Sequence, residues 1–158
     1  MNSAMTYEIS TTSSEATQVA ARRLSQLLLG GETLELVSDL GGGKTTFVQG
    51  LAAGLGYKGL VTSPTFTLSN IYELPDGREL HHYDLYRLTE GGVLADELAE
   101  DLDDPKIITV IEWPGLAEHE LPKDRLTLTL EVTGEDDRKL VFSAGGPESQ
   151  RLLEELAA

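Results

Sequence analysis

Three consecutive glycines precede a lysine and two threonines at positions 41–46 of this chain. An apolar strand-like stretch leads into this segment, and a helix-like stretch follows it. Glycines let successive backbone N–H groups approach an anion, a lysine adds positive charge, and a threonine hydroxyl can bind a divalent metal ion. The combination is typical of a P-loop, in which the backbone wraps around the phosphates of a nucleotide.

The P-loop pattern assigns a role to each residue. Lys44 is expected to place its ammonium between the β- and γ-phosphates, and the Thr45 hydroxyl is expected to bind the Mg²⁺ ion that bridges them. Backbone amides from Leu40 to Thr46, together with the N terminus of the following helix, are expected to complete the anion site. These nucleotide-binding residues are Leu40, Gly41, Gly42, Gly43, Lys44, Thr45 and Thr46.

One position departs from the usual P-loop pattern, in which a first glycine is separated by four residues from the Gly-Lys pair. Ser38 stands where that glycine is expected. A serine fits there if its φ stays negative, so we expect a working loop with less backbone freedom. The alternative is a glycine-rich turn that precedes Lys-Thr by chance. The order of strand, loop and helix favours nucleotide binding.

Two carboxylates are candidates for completing a phosphate site. Glu112 follows a continuous apolar run at 106–111, and Asp84 ends a weaker strand. The carboxyl ends of parallel strands converge on the ligand in α/β sheets, so both acids are expected near Lys44. One would act on the metal ion and the other on the attacking water, and the alternative for each is a solvated acid at a strand end. The predicted catalytic residues are therefore Lys44, Asp84 and Glu112, and the predicted metal ligands are Thr45 and Glu112.

A segment rich in hydroxyl groups follows the P-loop helix and includes Ser63, Pro64 and Thr65. In GTPase-like proteins this region senses the γ-phosphate, and a polar loop with a proline is an equally good interpretation. Trp113 directly follows Glu112, where it would stack on a base, anchor a partner or pack in the core. The residues alone favour core packing for Trp113.

The three histidines of the chain do not have the spacing of a zinc site, and the chain contains no cysteine that would assist them. We expect all three to be structural. They are His81, His82 and His119.

The remaining pattern supplies the elements that must position these side chains. Thr12 and Glu15 fit a capping box for a first helix that ends at the Gly30–Gly31 pair. Pro75 to Arg78 reads as the turn of a β-hairpin. Strands are predicted at 6–9, 33–37, 66–74, 79–86, 106–111, 125–132 and 139–142, and later helices at 45–55, 90–102 and 148–156.

Composition limits the classes of protein that fit. The 158 residues are 40% hydrophobic and 25% charged, as expected for one globular domain spanning 1–158. No apolar run approaches the ~20 residues of a membrane span. The absence of cysteine and of a signal-peptide pattern favours a cytoplasmic location. The net charge of −15 disfavours broad nucleic-acid binding, and it fits either a basic protein partner or solubility alone.

Four segments together resemble one family, the TsaE (YjeE) family of bacterial ATPases. They are DLGGGKTTF at 39–47, SPTFTL at 63–68, DLYRL at 84–88 and EWP at 112–114. The P-loop is shared by many proteins, whereas the other three segments are far more specific. The similarity spans about 12–142.

The resemblance implies an α/β P-loop fold, a three-layer sandwich with a mostly parallel sheet and added antiparallel strands. It implies slow, Mg²⁺-dependent ATP hydrolysis and a role in forming the threonylcarbamoyl modification of adenosine beside the tRNA anticodon. Members of the family do not transfer the group themselves. They dock on the TsaB–TsaD complex and support its repeated turnover, so tRNA is an indirect partner, and neither DNA nor a membrane is one.

The resemblance also assigns residues. Asp39 joins the nucleotide-binding set, as do Ser14, before the first helix, and Arg138, in the late hairpin. Trp113 becomes a functional residue rather than a packed one, and Asp84 a catalytic carboxylate.

Rival functions remain open at this stage. A small-molecule P-loop kinase usually carries arginines on a lid, and the arginines after the P-loop form no cluster in this sequence. A GTPase would need an Asn-Lys-x-Asp motif, which is absent. A binding module gated by the nucleotide, with incidental hydrolysis, is the third alternative.

Overall fold

Seven strands form a single mixed sheet in the computed structural model of this chain, which describes residues 6–38, 43–64, 69–85, 93–113 and 121–158. The strands are β1 (Thr6–Thr11), β2 (Thr33–Val37), β3 (Ser69–Glu73), β4 (Glu79–Asp84), β5 (Ile107–Glu112), β6 (Leu126–Val132) and β7 (Arg138–Ala144). The helices are α1 (Ser14–Ser25), α2 (Lys44–Gly54), α3 (Val93–Leu102) and α4 (Pro147–Ala157).

The strand order is β1-β7-β6-β2-β5-β4-β3. The four central strands β6, β2, β5 and β4 pair in parallel. Antiparallel pairs add β3 at one edge and β7 and β1 at the other. The expected α/β fold with a parallel centre and added antiparallel strands is therefore confirmed.

Helices cover both faces of the sheet. Leucines of α1, α2 and α4 share one apolar cluster with the inward side chains of the strands, and Phe47 and Phe142 are fully buried in it. On the opposite face Leu98 of α3 packs with Tyr83 and Ile111. All six residues of β5 are buried because this central strand is covered on both sides. The apolar run that predicted this strand is thus explained by its place in the sheet.

The ends of the first helix differ from the prediction. The N-cap is Ser13 rather than Thr12, since Ser13 has an extended backbone and its hydroxyl accepts a hydrogen bond from the Ala16 N–H. The helix ends at Ser25, several residues before Gly30. Strand β2 has the predicted bounds, and α2 begins one residue earlier than predicted. The hairpin strands β3 and β4 are shorter than predicted, although residues 66–68 lie outside the described residues.

The final helix depends on a carboxylate from outside it. Its N-cap is Gly146, which has no side chain to cap the helix. Asp124 instead accepts hydrogen bonds from the backbone N–H groups of Glu148 and Ser149 and from the Ser149 hydroxyl, at 2.7–2.9 Å. Burial of Asp124 opposes ionisation, but the bonds from Ser149 and Glu148 prevail and lower the pKa of Asp124 below its ordinary value.

We expect Asp124→Ala to lower the free energy of unfolding at pH 7 by about 1 kcal/mol, the usual cost of a lost N-cap. Because the folded pKa is lowered, the stabilisation is fully present above the unfolded pKa of about 3.9 and is lost as the pH falls through the folded pKa. Urea unfolding at pH 7 and pH 3 measures this, with the exposed Asp103→Ala as control. An equal loss of stability at both pH values would contradict the capping role.

In the part of the chain that the structure describes, no helix is long and apolar enough to cross a membrane.

Candidate functional site

The first helix after the glycine-rich loop begins at Lys44. Its N-cap residue, Gly43, has φ +102°, a conformation that other residues rarely adopt. No side chain among the described residues caps this helix, and a helix N terminus without a side-chain cap can bind an anion. The loop residues Asp39, Leu40, Gly41 and Gly42 lie outside the described residues.

The Lys44 side chain is buried, with 7% of the residue exposed. Its Nζ lies 3.4 Å from Glu112 Oε1 and 4.2 Å from the centre of the Trp113 ring. Within the described part of the chain, Nζ makes no hydrogen bond of good geometry. The ammonium is therefore held by charge and by the aromatic face while its N–H groups lack acceptors there.

The two predicted carboxylates lie side by side. Asp84 ends β4 and Glu112 ends β5, and the parallel register pairs them directly. Paired residues of neighbouring strands are about 5 Å apart and point to the same face. Both residues are almost fully buried, at 4% and 3% exposure. The structure thus brings Lys44, Glu112 and Asp84 together at the carboxyl edge of the parallel sheet.

His82 also belongs to this group. It is fully buried on β4, two residues before Asp84, and its Nε2 contacts Glu112 Oε2. We expected all three histidines to be structural, and the sequence interpretation did not anticipate that His82 contacts the predicted catalytic residue Glu112. The signal was present, because alternation along a strand places residues 82 and 84 on one face. His119 lies outside the described residues.

Trp113, directly after β5, has an unusual backbone conformation. Its φ is +54°, and no other non-glycine residue in the described ranges has a positive φ. Such a conformation costs free energy in a bulky residue and persists only where its surroundings enforce it. It turns the half-buried ring over the Lys44 ammonium. Trp113 therefore shares the environment of the predicted phosphate lysine, although its functional role stays a prediction.

A small cavity of about 30 Å³ lies beside the start of α2. Its lining includes four of the residues predicted to bind a nucleotide, which come from α1, α2 and β7. These four are Ser14, Gly43, Thr46 and Arg138, and Thr17 and Asp136 complete the lining. Sequence positions more than 90 residues apart thus meet at the start of α2.

Arg138, the first residue of β7, reaches this cavity. Its Nη1 donates hydrogen bonds to the carbonyl groups of Gly134, Glu135 and Asp137 at 2.8–3.3 Å. Its Nε would lie 3.7 Å from a Cβ atom placed on Gly43. These bonds to the turn hold the guanidinium beside the loop, where a positive charge suits a polyphosphate.

Two further predictions concern the backbone on either side of α2. Ser38, directly after β2, does not have a positive φ. This meets the condition stated above for a serine at the position of the first P-loop glycine. Ser63 is exposed and Pro64 is buried, and the segment before β3 is tied down where Asn70 and Tyr72 donate to the Thr62 carbonyl. Thr65 lies outside the described residues, and the switch role of this segment stays a prediction.

His81 belongs to a separate cluster on the opposite face of the sheet. Its Nδ1 lies 2.6 Å from Asp101 Oδ2 and its Nε2 lies 2.7 Å from Glu79 Oε1. The Tyr83 hydroxyl donates to the same Asp101 oxygen, and burial followed by this contact raises the pKa of Tyr83. These bonds tie α3 to β4 and do not involve Lys44 or Glu112.

The residues present suit a triphosphate and a magnesium ion. The buried Lys44 ammonium lacks hydrogen-bond acceptors among the described residues, and phosphate oxygens would supply them. Thr45, Glu112 and Asp84 offer the hard oxygen ligands that Mg²⁺ prefers. The described residues contain no cluster of three or more His, Cys, Asp or Glu side chains that could hold a metal ion, and Mg²⁺ commonly needs only one or two carboxylates besides phosphate and water.

Comparison with known proteins gives concordant matches. The profile of the family described as "Threonylcarbamoyl adenosine biosynthesis protein TsaE" matches residues 11–140. The chain is 37% identical over 153 residues to the tRNA threonylcarbamoyladenosine biosynthesis protein TsaE of Bacillus subtilis, covering 93% of this chain and 91% of that protein. The Streptomyces coelicolor protein of the same name is 41% identical over 111 residues, 70% of this chain and 75% of that protein.

A solved structure matches as well. The crystal structure of Bacillus subtilis YdiB superposes with a TM-score of 0.80 at 32% sequence identity. The superposition covers 99% of this chain and 97% of that one.

Proposed function

The chain belongs to the TsaE family, and we propose from this that it binds and slowly hydrolyses ATP in tRNA threonylcarbamoyladenosine biosynthesis. The observation that carries the proposal is the convergence of Lys44, Glu112 and Asp84 at the carboxyl ends of β2, β5 and β4. A lysine at the start of a P-loop helix, beside two strand-end carboxylates, is the arrangement that phosphoryl transfer requires.

The P-loop residues would hold the nucleotide. Lys44 Nζ would leave Glu112 Oε1 and donate to oxygens of the β- and γ-phosphates. The backbone N–H groups at the start of α2 would bind the same phosphates, and Arg138 and Ser14 would contact the nucleotide from the neighbouring cavity. These groups would be in place before the reaction begins and would stabilise the charge that develops on the phosphate oxygens in the transition state, which is how such sites lower the barrier.

The two carboxylates would divide the remaining work. Thr45 and Glu112 would hold Mg²⁺, which supplies charge neutralisation at the transferring phosphoryl group. With Glu112 on the metal, Asp84 would orient the attacking water through a hydrogen bond to its carboxylate. The burial of both acids excludes bulk water, so their charges act at short range and with little screening.

The place of this ATPase would be on the TsaB–TsaD complex, which carries out the transfer to tRNA. We propose that the nucleotide cycle of this chain supports repeated turnover by that complex rather than the transfer itself. Its net charge of −15 would repel a phosphate backbone, so RNA recognition would fall to the partners. Tight binding of tRNA to the isolated protein at physiological salt would refute that division.

Reconstitution tests the proposed function. Purified TsaB–TsaD, tRNA and the threonylcarbamoyl donor are combined with or without this protein, and modified tRNA is counted per complex. We expect multiple turnovers only when both this protein and ATP are present. A non-hydrolysable ATP analogue should support at most one turnover.

Two results would argue against the proposal. Modification that is indifferent to the protein would remove it from this process. Full turnover with the analogue would favour a binding module over an ATPase. Lys106→Ala is the matched control for replacement of Lys44 by alanine. Lys106 is an exposed lysine just before the start of β5, at the opposite end of that strand from Glu112.

A further inference from the structure

We infer that His82 is a positioning residue for Glu112, an inference that rests on the proposed function and deepens it. His82 is fully buried in β4, a strand that packs in parallel against the strand carrying Glu112. Its register partner is Val110, so the ring reaches Glu112 diagonally across the same face of the sheet.

The two oxygens of Glu112 have separate partners from different elements. Oε2 contacts His82 Nε2, and Oε1 lies 3.4 Å from Lys44 Nζ at the start of α2. An ionised carboxylate can only accept hydrogen bonds, so we assign the donor role to His82 through its Nε2–H. The orientation of the carboxylate is therefore set by the sheet on one side and by the P-loop helix on the other.

Among the described residues, the His82 ring makes a polar contact through Nε2, with Glu112, but not through Nδ1. His82 Nδ1 has no hydrogen-bond partner within the described ranges, although it is completely buried. His81, the neighbouring buried histidine, bonds through both ring nitrogens to carboxylates of β4 and α3. A histidine that serves only to join elements usually satisfies both nitrogens, as His81 does, because an unsatisfied buried polar atom costs stability. Among the described residues nothing offsets that cost for His82, which points to a role at Glu112.

The contact between His82 and Glu112 would matter most when Lys44 turns from Glu112 towards a bound phosphate. Once Lys44 turns to phosphate oxygens, Oε1 loses its ion-pair partner, and the terminal torsion of a glutamate is soft. The bond from His82 holds Oε2 in place, so Oε1 remains directed towards the P-loop. Outer partners of this kind commonly decide whether a carboxylate is correctly oriented for metal and water.

Two substitutions of His82 separate this role from simple packing. Glutamine places its amide nitrogen where the imidazole Nε2 stood, whereas the shorter asparagine does not reach it. We expect His82→Asn to lower kcat for ATP hydrolysis about 10- to 100-fold while the Kd for ATP changes by less than about 3-fold. His82→Gln should recover most of the loss. The matched control is His81→Asn, which removes another buried histidine, from the opposite face, and should leave kcat within about 3-fold.

A second measurement needs no turnover. In nucleotide-free protein labelled with ¹⁵N-histidine, the Nε2-bound proton of His82 should give a signal that shifts in Glu112→Gln while the His81 signals stay fixed. This spectrum also reports whether each variant is folded, so a loss of kcat through unfolding is recognised directly.

The outcomes discriminate between the claims. Wild-type protein that neither binds nor hydrolyses ATP would overturn the proposed function and this inference together. Wild-type hydrolysis combined with an unaffected His82→Asn, with equal losses in the asparagine and glutamine variants, or with an unmoved His82 signal in Glu112→Gln would overturn the inference alone. Selective loss of kcat in His82→Asn, recovery in His82→Gln and the shifted signal would establish it.

Discussion

Replacing Lys44 by alanine will weaken ATP binding at least about 100-fold and abolish hydrolysis. The ammonium is the one buried positive charge that the described structure places beside the start of α2 and the two strand-end carboxylates. Hydrogen bonds to charged groups contribute about 1.5–3 kcal/mol each, so losing two phosphate contacts costs about 3 kcal/mol, a factor of roughly 100. Isothermal titration with Mg²⁺ and ATP measures the affinity, and phosphate release measures turnover.

The intrinsic fluorescence of Trp113 provides a second reading of the same event. It is the only tryptophan of the chain, and its ring lies 4.2 Å from Lys44 Nζ. If the ammonium leaves the ring for phosphate, wild-type emission changes on addition of ATP, and the alanine variant shows no such change. Removing one partner from a buried ion pair also destabilises the fold, so a thermal melt must show that the variant is folded at the assay temperature. Unchanged ATP affinity in folded Lys44→Ala would exclude the P-loop interpretation.

Local patterns predicted the elements that position the site. Strand β2 was predicted with its observed bounds, and β5 within one residue at each end, because central parallel strands are buried on both faces and read as apolar runs. The start of α2 was predicted within one residue, since the P-loop places glycine immediately before the helix. The described part of α3 ends at Leu102, as predicted, and the first three residues of the predicted helix, 90–92, lie outside the described residues.

The contacts within the site depend on the register and the order of the strands, which local sequence patterns do not specify. Asp84 and Glu112 were expected to approach one another because both end parallel strands, and the observed register pairs them directly. Alternation along β4 places His82 on the face of Asp84, but the His82–Glu112 contact also depends on the register between β4 and β5, which no local pattern specifies. Arg138 reaches Gly43 only because β7 lies two strands from β2 in the sheet order. Local sequence therefore determines the strands and the helix that carry the site residues, and long-range strand pairing brings those residues into contact.

The second large effect is expected at Glu112. Glu112→Gln will keep ATP binding and lower the rate of hydrolysis about 100-fold or more, in the range found when one preorganised electrostatic group is removed. Glutamine keeps the shape of the side chain and an oxygen that accepts from His82, but it loses the charge that would hold Mg²⁺. Phosphate release under saturating ATP measures the rate.

The same substitution will leave Mg²⁺-free ATP binding unweakened or strengthen it. In the free protein Lys44 pairs with Glu112 in a site where both side chains are nearly buried, and this pair must break before the ammonium reaches phosphate. A neutral glutamine removes the competing charge, so the nucleotide no longer has to displace it. Titration with ATP in EDTA measures this effect separately from metal binding.

Glu35→Gln is the matched control for Glu112→Gln, because Glu35 is also buried and ion-paired, with Arg125 at 2.9 Å. Its side chain points to the face opposite Leu34 and Leu36, away from the P-loop helix. We therefore expect the control to lose stability and to retain hydrolysis. If Glu112→Gln hydrolysed ATP at the wild-type rate, Glu112 would have no part in the chemistry, and Asp84 would be the carboxylate that holds the metal ion with Thr45. If both variants lost hydrolysis equally, the effect would stem from general destabilisation rather than from the charge beside Lys44.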